Sequence, residues 1–397
     1  MSAPLPFPKS FPDKDEQLFL DLLLCADKDF PLLWDAWKNA VAFDAVDHGT
    51  LRLLPLLAIR LKKLNMQDPL LGRIRGVYKL AWVKNQGLLD AMAKTVALLE
   101  ENRIPVLLLK GIPLLIEAYK DEGARFLGDS DVLVHPENAK RAITLMLGAG
   151  WKLKTRQFPK LDHFSDESLP RIVKEITFMN EQRMEIDMHW RIFEAKGGID
   201  ERETVLARDV WGHARAFAYK EKQYRTLRAE DMLIHVIVHG AEGAPVKTLH
   251  FVTDAVYLIR TLPIDWDLFL EKTKKYGFEV EIYMAFRYLL NSNFISLPEP
   301  AKAAILALPL ESQKVRAYYK KTNTVHAPWG GVPRLWRTYW QFEAKGKSSR
   351  DAYRFVDYLA QAWGLERKRD LLPFVWRKYK VRMAYHIKRI FPGKEPS

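Results

Sequence analysis

The chain has 397 residues, with 62 Lys and Arg against 49 Asp and Glu and a net charge of +13. Its 48% hydrophobic and 28% charged residues exclude disorder throughout, and at ~100–200 residues per domain it spans two or three domains. The single cysteine, Cys25, excludes an internal disulfide and a multi-cysteine metal or iron–sulfur site and fits a reducing, cytoplasmic compartment. No apolar run nears the ~20 residues that cross a bilayer, so the excess positive charge points to a polyanionic partner: nucleic acid, nucleotide or an anionic membrane face.

Residues 1–14 read as an extended, poorly ordered arm, because Pro4, Pro6, Pro8 and Pro12 deny it helical geometry. Residues 15–102 read as helical. Apolar positions recur at three and four in EQLFLDLLLCADK, FPLLWDAWKNAVAF, GTLRLLPLLAIRLKKL and AWVKNQGLLDAMAKTVALLEEN.

The period changes over 103–227, a small α/β core. IPVLLLK is a continuous apolar run that ends at Gly111, as a buried strand does. GIPLLIEAYK follows as a short helix, DEGARFLGD as a loop, SDVLV as a strand and PENAKRAITLMLGAG as a helix stopped by glycines. WKLKT is a strand, and KEITFMN and RMEIDMHWRIF pair as a hairpin around Asn180, Glu181 and Gln182.

Residues 228–320 return to helical period, in AEDMLIHVIVHGA, HFVTDAVYLIRTL, DWDLFLEKTKKYG, EVEIYMAFRYLLN and AKAAILALP. Residues 321–397 combine a loop with a helical, basic, aromatic tail.

The sharpest chemical feature is LGDSDVLV. Alternation along a strand puts Asp129 and Asp131 on one face. Two adjacent carboxylates repel unless a cation or proton lies between them, and hard oxygen ligands suit Mg²⁺, which takes substrate phosphates as its other ligands. A second strand offers Asp187. There Glu185, Asp187, His189 and Arg191 share a charged face, while Met184, Ile186, Met188 and Trp190 share an apolar one that belongs in the core. Three carboxylates on neighbouring strands are enough to hold two metals that clamp the attacking and leaving oxygens of an in-line displacement.

Upstream, Lys110 and Gly111 close a strand and open a helix, where backbone N–H groups meet phosphate. Arg125 adds a group able to grip phosphate with two bonds.

This arrangement resembles the DNA polymerase β-like nucleotidyltransferase superfamily and, more narrowly, the bacterial family of uncharacterised nucleotidyltransferases. The elements that carry the resemblance run in order through about residues 20–260. They are Asp47–His48–Gly49 before a Leu-rich helix, Leu109–Lys110–Gly111, Arg125 ahead of Asp129 to Val134, and Asp187 to Arg191 as Asp-x-His-Trp-Arg. Last comes Leu233, His235, His239 and Gly240 with Asp254 beyond.

The resemblance implies an α+β protein, with a small mixed-sheet nucleotidyltransferase core flanked by N- and C-terminal α-helical regions. It implies an Mg²⁺- or Mn²⁺-dependent enzyme that uses an NTP such as ATP, with metals on Asp129 and Asp131. Asp187 would complete the site and activate an acceptor hydroxyl, and Lys110, Gly111 and Arg125 would hold the triphosphate. Two departures stand out: Lys110–Gly111 replaces the superfamily's Gly-Ser pair, and Ser130 stands where the narrower family more often has an apolar residue.

His235 and His239 share a helix face. Zinc would need further ligands and no cysteine is near, so they read as packing or substrate-facing histidines, with Asp254 a partner. His189 reads either as a proton carrier or as a residue that orients Asp187 by a hydrogen bond. The tail interleaves Arg367, Lys368, Arg369, Arg377, Lys378 and Arg382 with Trp376, Tyr379 and Tyr385. That pattern suits RNA, the tRNA 3′ end included, a peripheral contact with an anionic membrane, or a solvated helix. A protein or a small molecule is an alternative acceptor. The rival reading is a non-catalytic nucleotide- or RNA-binding protein derived from this fold.

Overall fold

A computed structural model describes residues 5–154, 175–192, 208–241 and 249–323, together with 336, 339–340, 349–362, 365, 367–374 and 376. The basic residues from 377 onward, on which the reading of the tail rests, lie outside the described residues.

Four helices lead in: α1 (Lys14–Leu24), α2 (Phe30–Ala40), α3 (His48–Lys63) and α4 (Leu71–Glu101). Asp13 and Glu16 form a capping box at the start of α1. The Asp47 carboxylate caps α3 by accepting from the N–H groups of Gly49 and Thr50. Residues 5–13 form no helix or strand before α1. Phe11 is buried and its ring meets Phe251 and Tyr288 edge-on, so aromatic burial holds a segment that has no helix to hold it.

The mixed sheet has seven strands: β1 (Val106–Leu109), β2 (Ser130–Val134), β3 (Lys152–Leu153), β4 (Glu175–Met179), β5 (Glu185–His189), β6 (Arg215–Tyr219) and β7 (Lys222–Thr226). Their order is β3-β4-β5-β2-β1-β7-β6. β2 runs antiparallel to β1 and parallel to β5. A short helix, α5 (Gly111–Leu114), extended as a π-turn over Leu115–Tyr119, follows β1, and α6 (Ala139–Gly148) follows β2.

The helices beyond are α7 (Ala229–Ala241), α8 (His250–Thr261), α9 (Trp266–Tyr276), α10 (Glu279–Asn291), α11 (Glu299–Leu306), α12 (Ser312–Asn323) and α13 (Ser349–Ala362). The chain is α+β with helical flanks. Among the described residues no helix is long and apolar enough to cross a membrane.

The two faces of the sheet have different cores. Val106, Leu108, Val132, Val134, Ile186 and Met188 pack with Leu88, Met92 and Leu99 of α4 and with Ile143 and Met146 of α6. Leu107, Leu109 and Leu133 pack instead with the helices of both flanks. Strand alternation therefore turns Asp131, two residues from Leu133, toward the flanking helices. The polar hairpin β6–β7 is a feature that hydrophobic patterning did not single out. It joins β1 in parallel through Leu108 and Thr226, and the Thr226 hydroxyl donates to the Leu108 carbonyl at 2.7 Å.

Candidate active site

The parallel register of β2 and β5 sets Asp131 directly beside Asp187. Antiparallel pairing then places Thr177 opposite Asp187 and Glu175 opposite His189. Ligand atoms of Asp131, Asp187 and His189 lie within 4.8 Å of one another, close enough to hold one metal ion. One carboxylate oxygen of Asp187 is buried with no hydrogen-bond partner among the described residues, so it is available to a cation. Two hard carboxylates suit Mg²⁺ or Mn²⁺. Asp129, just ahead of β2, stands outside this trio but lines the same cavity.

Asp131 is 7% exposed, and its Oδ1 already accepts two bonds: from Lys110 Nζ at 2.9 Å and from His189 Nε2 at 2.9 Å. The other ring nitrogen of His189 lies 3.0 Å from Glu175 Oε2. His189 therefore bridges Asp131 and Glu175, and its contact is with Asp131 where the sequence suggested Asp187. A role as metal ligand requires it to release one of these carboxylates.

Burial by itself would raise the Asp131 carboxyl, but the Lys110 charge and the His189 bond hold it well below the usual range. Asp129 goes the other way: burial, then the charges of Asp131 and Asp187, push it up to about 6. Burial also raises Asp187. Burial opposes the charge on His189, yet its bonds to Asp131 and Glu175 leave it above the ordinary histidine value.

Lys110 joins β1 to α5 with φ at 45°, a region that disfavours a residue with a Cβ. The turn holds this strained backbone where the lysine meets the carboxylate. Gly111 is needed for space: a Cβ there would lie 2.9 Å from Leu127 Cδ2 and 3.1 Å from Arg125 Nη1.

Arg125 is half-buried and gripped by Asp254, with Nε and Nη2 donating to its two oxygens at 2.8 Å each. Tyr119 donates to the same carboxylate at 2.8 Å. The pair ties the loop before β2 to α8.

A cavity of about 220 Å³ separates the sheet from the flanking helices. Asp129, Asp131, Glu175 and Asp187 line one side; Arg52, Arg125, His239, His250 and Asp254 line the other. Lys110, Gly111 and His189 also line it, with Gly128, Val236, Gly240 and Phe251. Of the two helical histidines, His239 reaches this cavity, whereas His235 is buried within α7 and does not line it. Arg191 is also buried and is not part of the lining. The glycine after His239 has a packing reason: a Cβ on Gly240 would fall 2.1 Å from Phe251 Cβ, so α7 closes on α8 only without one.

Sequence reasoning missed Arg52, Glu175 and His250. Glu175 had a signal, because a hairpin register that pairs Thr177 with Asp187 also pairs Glu175 with His189.

The model of a family described as "Uncharacterised nucleotidyltransferase" matches residues 49–291. That span runs from the start of α3 through α10 and contains every residue of the cavity. No curated protein matches the chain.

Proposed function

Because the chain belongs to the uncharacterised nucleotidyltransferase family, we propose that it transfers a nucleoside monophosphate from an NTP to an acceptor hydroxyl. The acceptor oxygen bonds to the α-phosphorus, the bond from that phosphorus to the bridging oxygen of the β-phosphate breaks, and pyrophosphate leaves. The observation that carries this reading is the pairing of Asp131 with Asp187 on adjacent strands, at a cavity whose far side is cationic.

Asp131 and Asp187 would hold Mg²⁺ or Mn²⁺, with Asp129 beside them. The bound ion supplies charge neutralisation at the reacting phosphate. Lys110 and His189 fix the Asp131 carboxylate in place before substrate arrives, which is the preorganisation such chemistry rewards. Asp187, raised by burial, accepts the proton of the acceptor hydroxyl. The net charge of +13 favours an RNA acceptor; a protein or a small hydroxylated molecule is the alternative.

A second reading, nucleotide binding without transfer, draws on the Lys110–Asp131 ion pair, since an amine already occupies one oxygen of the acid pair.

One experiment separates the two readings. The full chain is incubated with each of four α-³²P-labelled NTPs, Mg²⁺ and cell extract, and RNA, protein and small-molecule fractions are counted. Label entering one fraction, falling more than ~100-fold in Asp129→Asn/Asp131→Asn, is the expected result. NTP binding without label or pyrophosphate release would favour the second reading.

A further inference from the structure

The cations around the cavity are not equivalent. Lys110 is neutralised by Asp131 at 2.9 Å, and Arg125 is neutralised on two edges by Asp254. Arg52 projects from α3, outside the sheet, and makes no ion pair among the described residues. Its one hydrogen bond among the described residues runs from Nη2 to the Phe126 carbonyl at 3.3 Å. Its Nε is buried without a partner.

A guanidinium carries five N–H donors, so most of the capacity of Arg52 is unspent on the described residues where it lines the cavity. Arg52 and Arg125 also stand near enough for each other's charge to matter, and together with His48 they crowd the buried His250. Of the Lys and Arg side chains that line the cavity, Arg52 alone makes no ion pair among the described residues, and it calls for an anion. The acids on the opposite wall repel a bare anion and accept one that carries a divalent cation. A metal–polyphosphate fits both walls: cation toward the carboxylates, phosphate oxygens toward Arg52. At about 220 Å³ the cavity is below the ~300–1,000 Å³ of sites that enclose a drug-sized molecule, which suits the charged end of a nucleotide.

We propose that Arg52 is the polyphosphate-binding residue of this cavity, gripping the terminal phosphates of the nucleotide and then the pyrophosphate that leaves. That the anion belongs to a nucleotide rests on the transfer reading; the anion subsite itself does not. The planar fork of arginine matches two phosphate oxygens at once, and α3 brings it from a helical flank that the sheet does not supply.

Inorganic tripolyphosphate with Mg²⁺, titrated calorimetrically into the full chain, is the probe. The wild type is expected to bind it, more weakly as salt rises, and to lose it to competing ATP. Arg52→Gln should weaken tripolyphosphate by about tenfold or more and AMP by less, with the melting temperature retained. Arg52→Lys keeps the charge without the fork and should recover part of the affinity, which also covers the case in which the glutamine variant does not fold.

Unchanged tripolyphosphate affinity in folded Arg52→Gln would overturn the proposal. So would tripolyphosphate that fails to compete with ATP. Arg52-dependent tripolyphosphate binding in a protein that transfers nothing would leave the subsite standing and remove the transfer reading. Transfer with a KM for NTP indifferent to Arg52 would do the reverse.

Discussion

Two buried charge clusters in this molecule are built from similar parts and finish differently. In the first, Lys272 of α9 places Nζ 2.7 Å from both oxygens of Asp231 and 2.9 Å from Asp209. The Tyr276 hydroxyl donates to Asp209 as well, and Lys275 lies 3.7 Å from it. Three helical segments are locked together and none of these residues lines the cavity. In the second, Asp131 takes Lys110 and His189, but Asp129 has no ion pair among the described residues, an oxygen of Asp187 has no hydrogen bond, and Arg52 has no carboxylate. Charges of both signs face one another across open space. A closed cluster serves the fold; an unsatisfied one costs stability and makes sense where a ligand completes it.

The sharpest way to break the comparison is to open the closed cluster. Lys272→Met removes the one cation within 3 Å of Asp231 among the described residues and leaves a buried carboxylate beside the half-buried one of Asp209. Losing one partner of a buried pair costs about 3–5 kcal/mol, so urea unfolding should show a large drop in midpoint at unchanged slope. Tripolyphosphate binding per folded molecule should stay as it was. If binding fell along with stability, the two clusters would be coupled and their division into fold and site would fail.

Their legibility in the sequence also differs. The acids stood out because strand periodicity is short range: Asp129, Asp131 and Asp187 fall on alternating positions beside apolar neighbours, and the two-residue period alone orients them. The cationic wall did not. Arg52 sits in LRLLPLLAIRL, where a charged residue on an amphipathic helix reads as a solvated position. Only the docking of α3 against the loop before β2, seen in its contact with Phe126, turns it inward. Arg125 was found, but its partner's grip was not, because Asp254 reaches it from α8 across the fold. The strands β6 and β7 escaped notice because Lys222, Gln223 and Arg225 give them a polar surface that fits an edge hairpin better than a core strand. In the arm over 5–13, proline content speaks to helix formation and says nothing of where Phe11 packs.

A smaller effect of opposite sign tests the open cluster. Asp129 makes no ion pair among the described residues, and burial plus the charges of Asp131 and Asp187 disfavour its ionised form more than Lys110 and Arg125 favour it. Asp129→Asn keeps the shape and removes the repulsion. The metal-free protein should gain roughly 1 kcal/mol at neutral pH, in the range of stabilising changes at strained functional sites, while nucleotidyl transfer falls. Thermal melts in the presence of a chelator read the first, and pyrophosphate release reads the second. A loss of stability would mean that Asp129 has a structural role and that the open cluster is less open than its contacts indicate.

The smallest effect separates the clusters by pH. Burial alone would raise the Asp209 carboxyl, yet the bonds from Tyr276 and Lys272, with the charges of Lys272 and Lys275, bring it to about 2. An unfolded aspartate titrates near ~3.9. A carboxyl depressed in the folded state contributes its stability in full above the unfolded value and loses it as pH falls through the folded one. The contribution of Asp209 should therefore disappear between about pH 4 and pH 2. Asp231 is raised by burial against the pull of Lys272, and the Asp209 charge adds to that rise, so Asp209→Asn also eases the ionisation of Asp231. The stability gap between the wild type and that variant is expected to be on the order of 1 kcal/mol above pH 5 and to narrow toward zero by pH 2. Urea midpoints at half-unit pH intervals would follow it. A gap that stayed constant with pH would show that Asp209 acts through packing rather than charge, and the closed cluster would owe its stability to Asp231 and Lys272 alone.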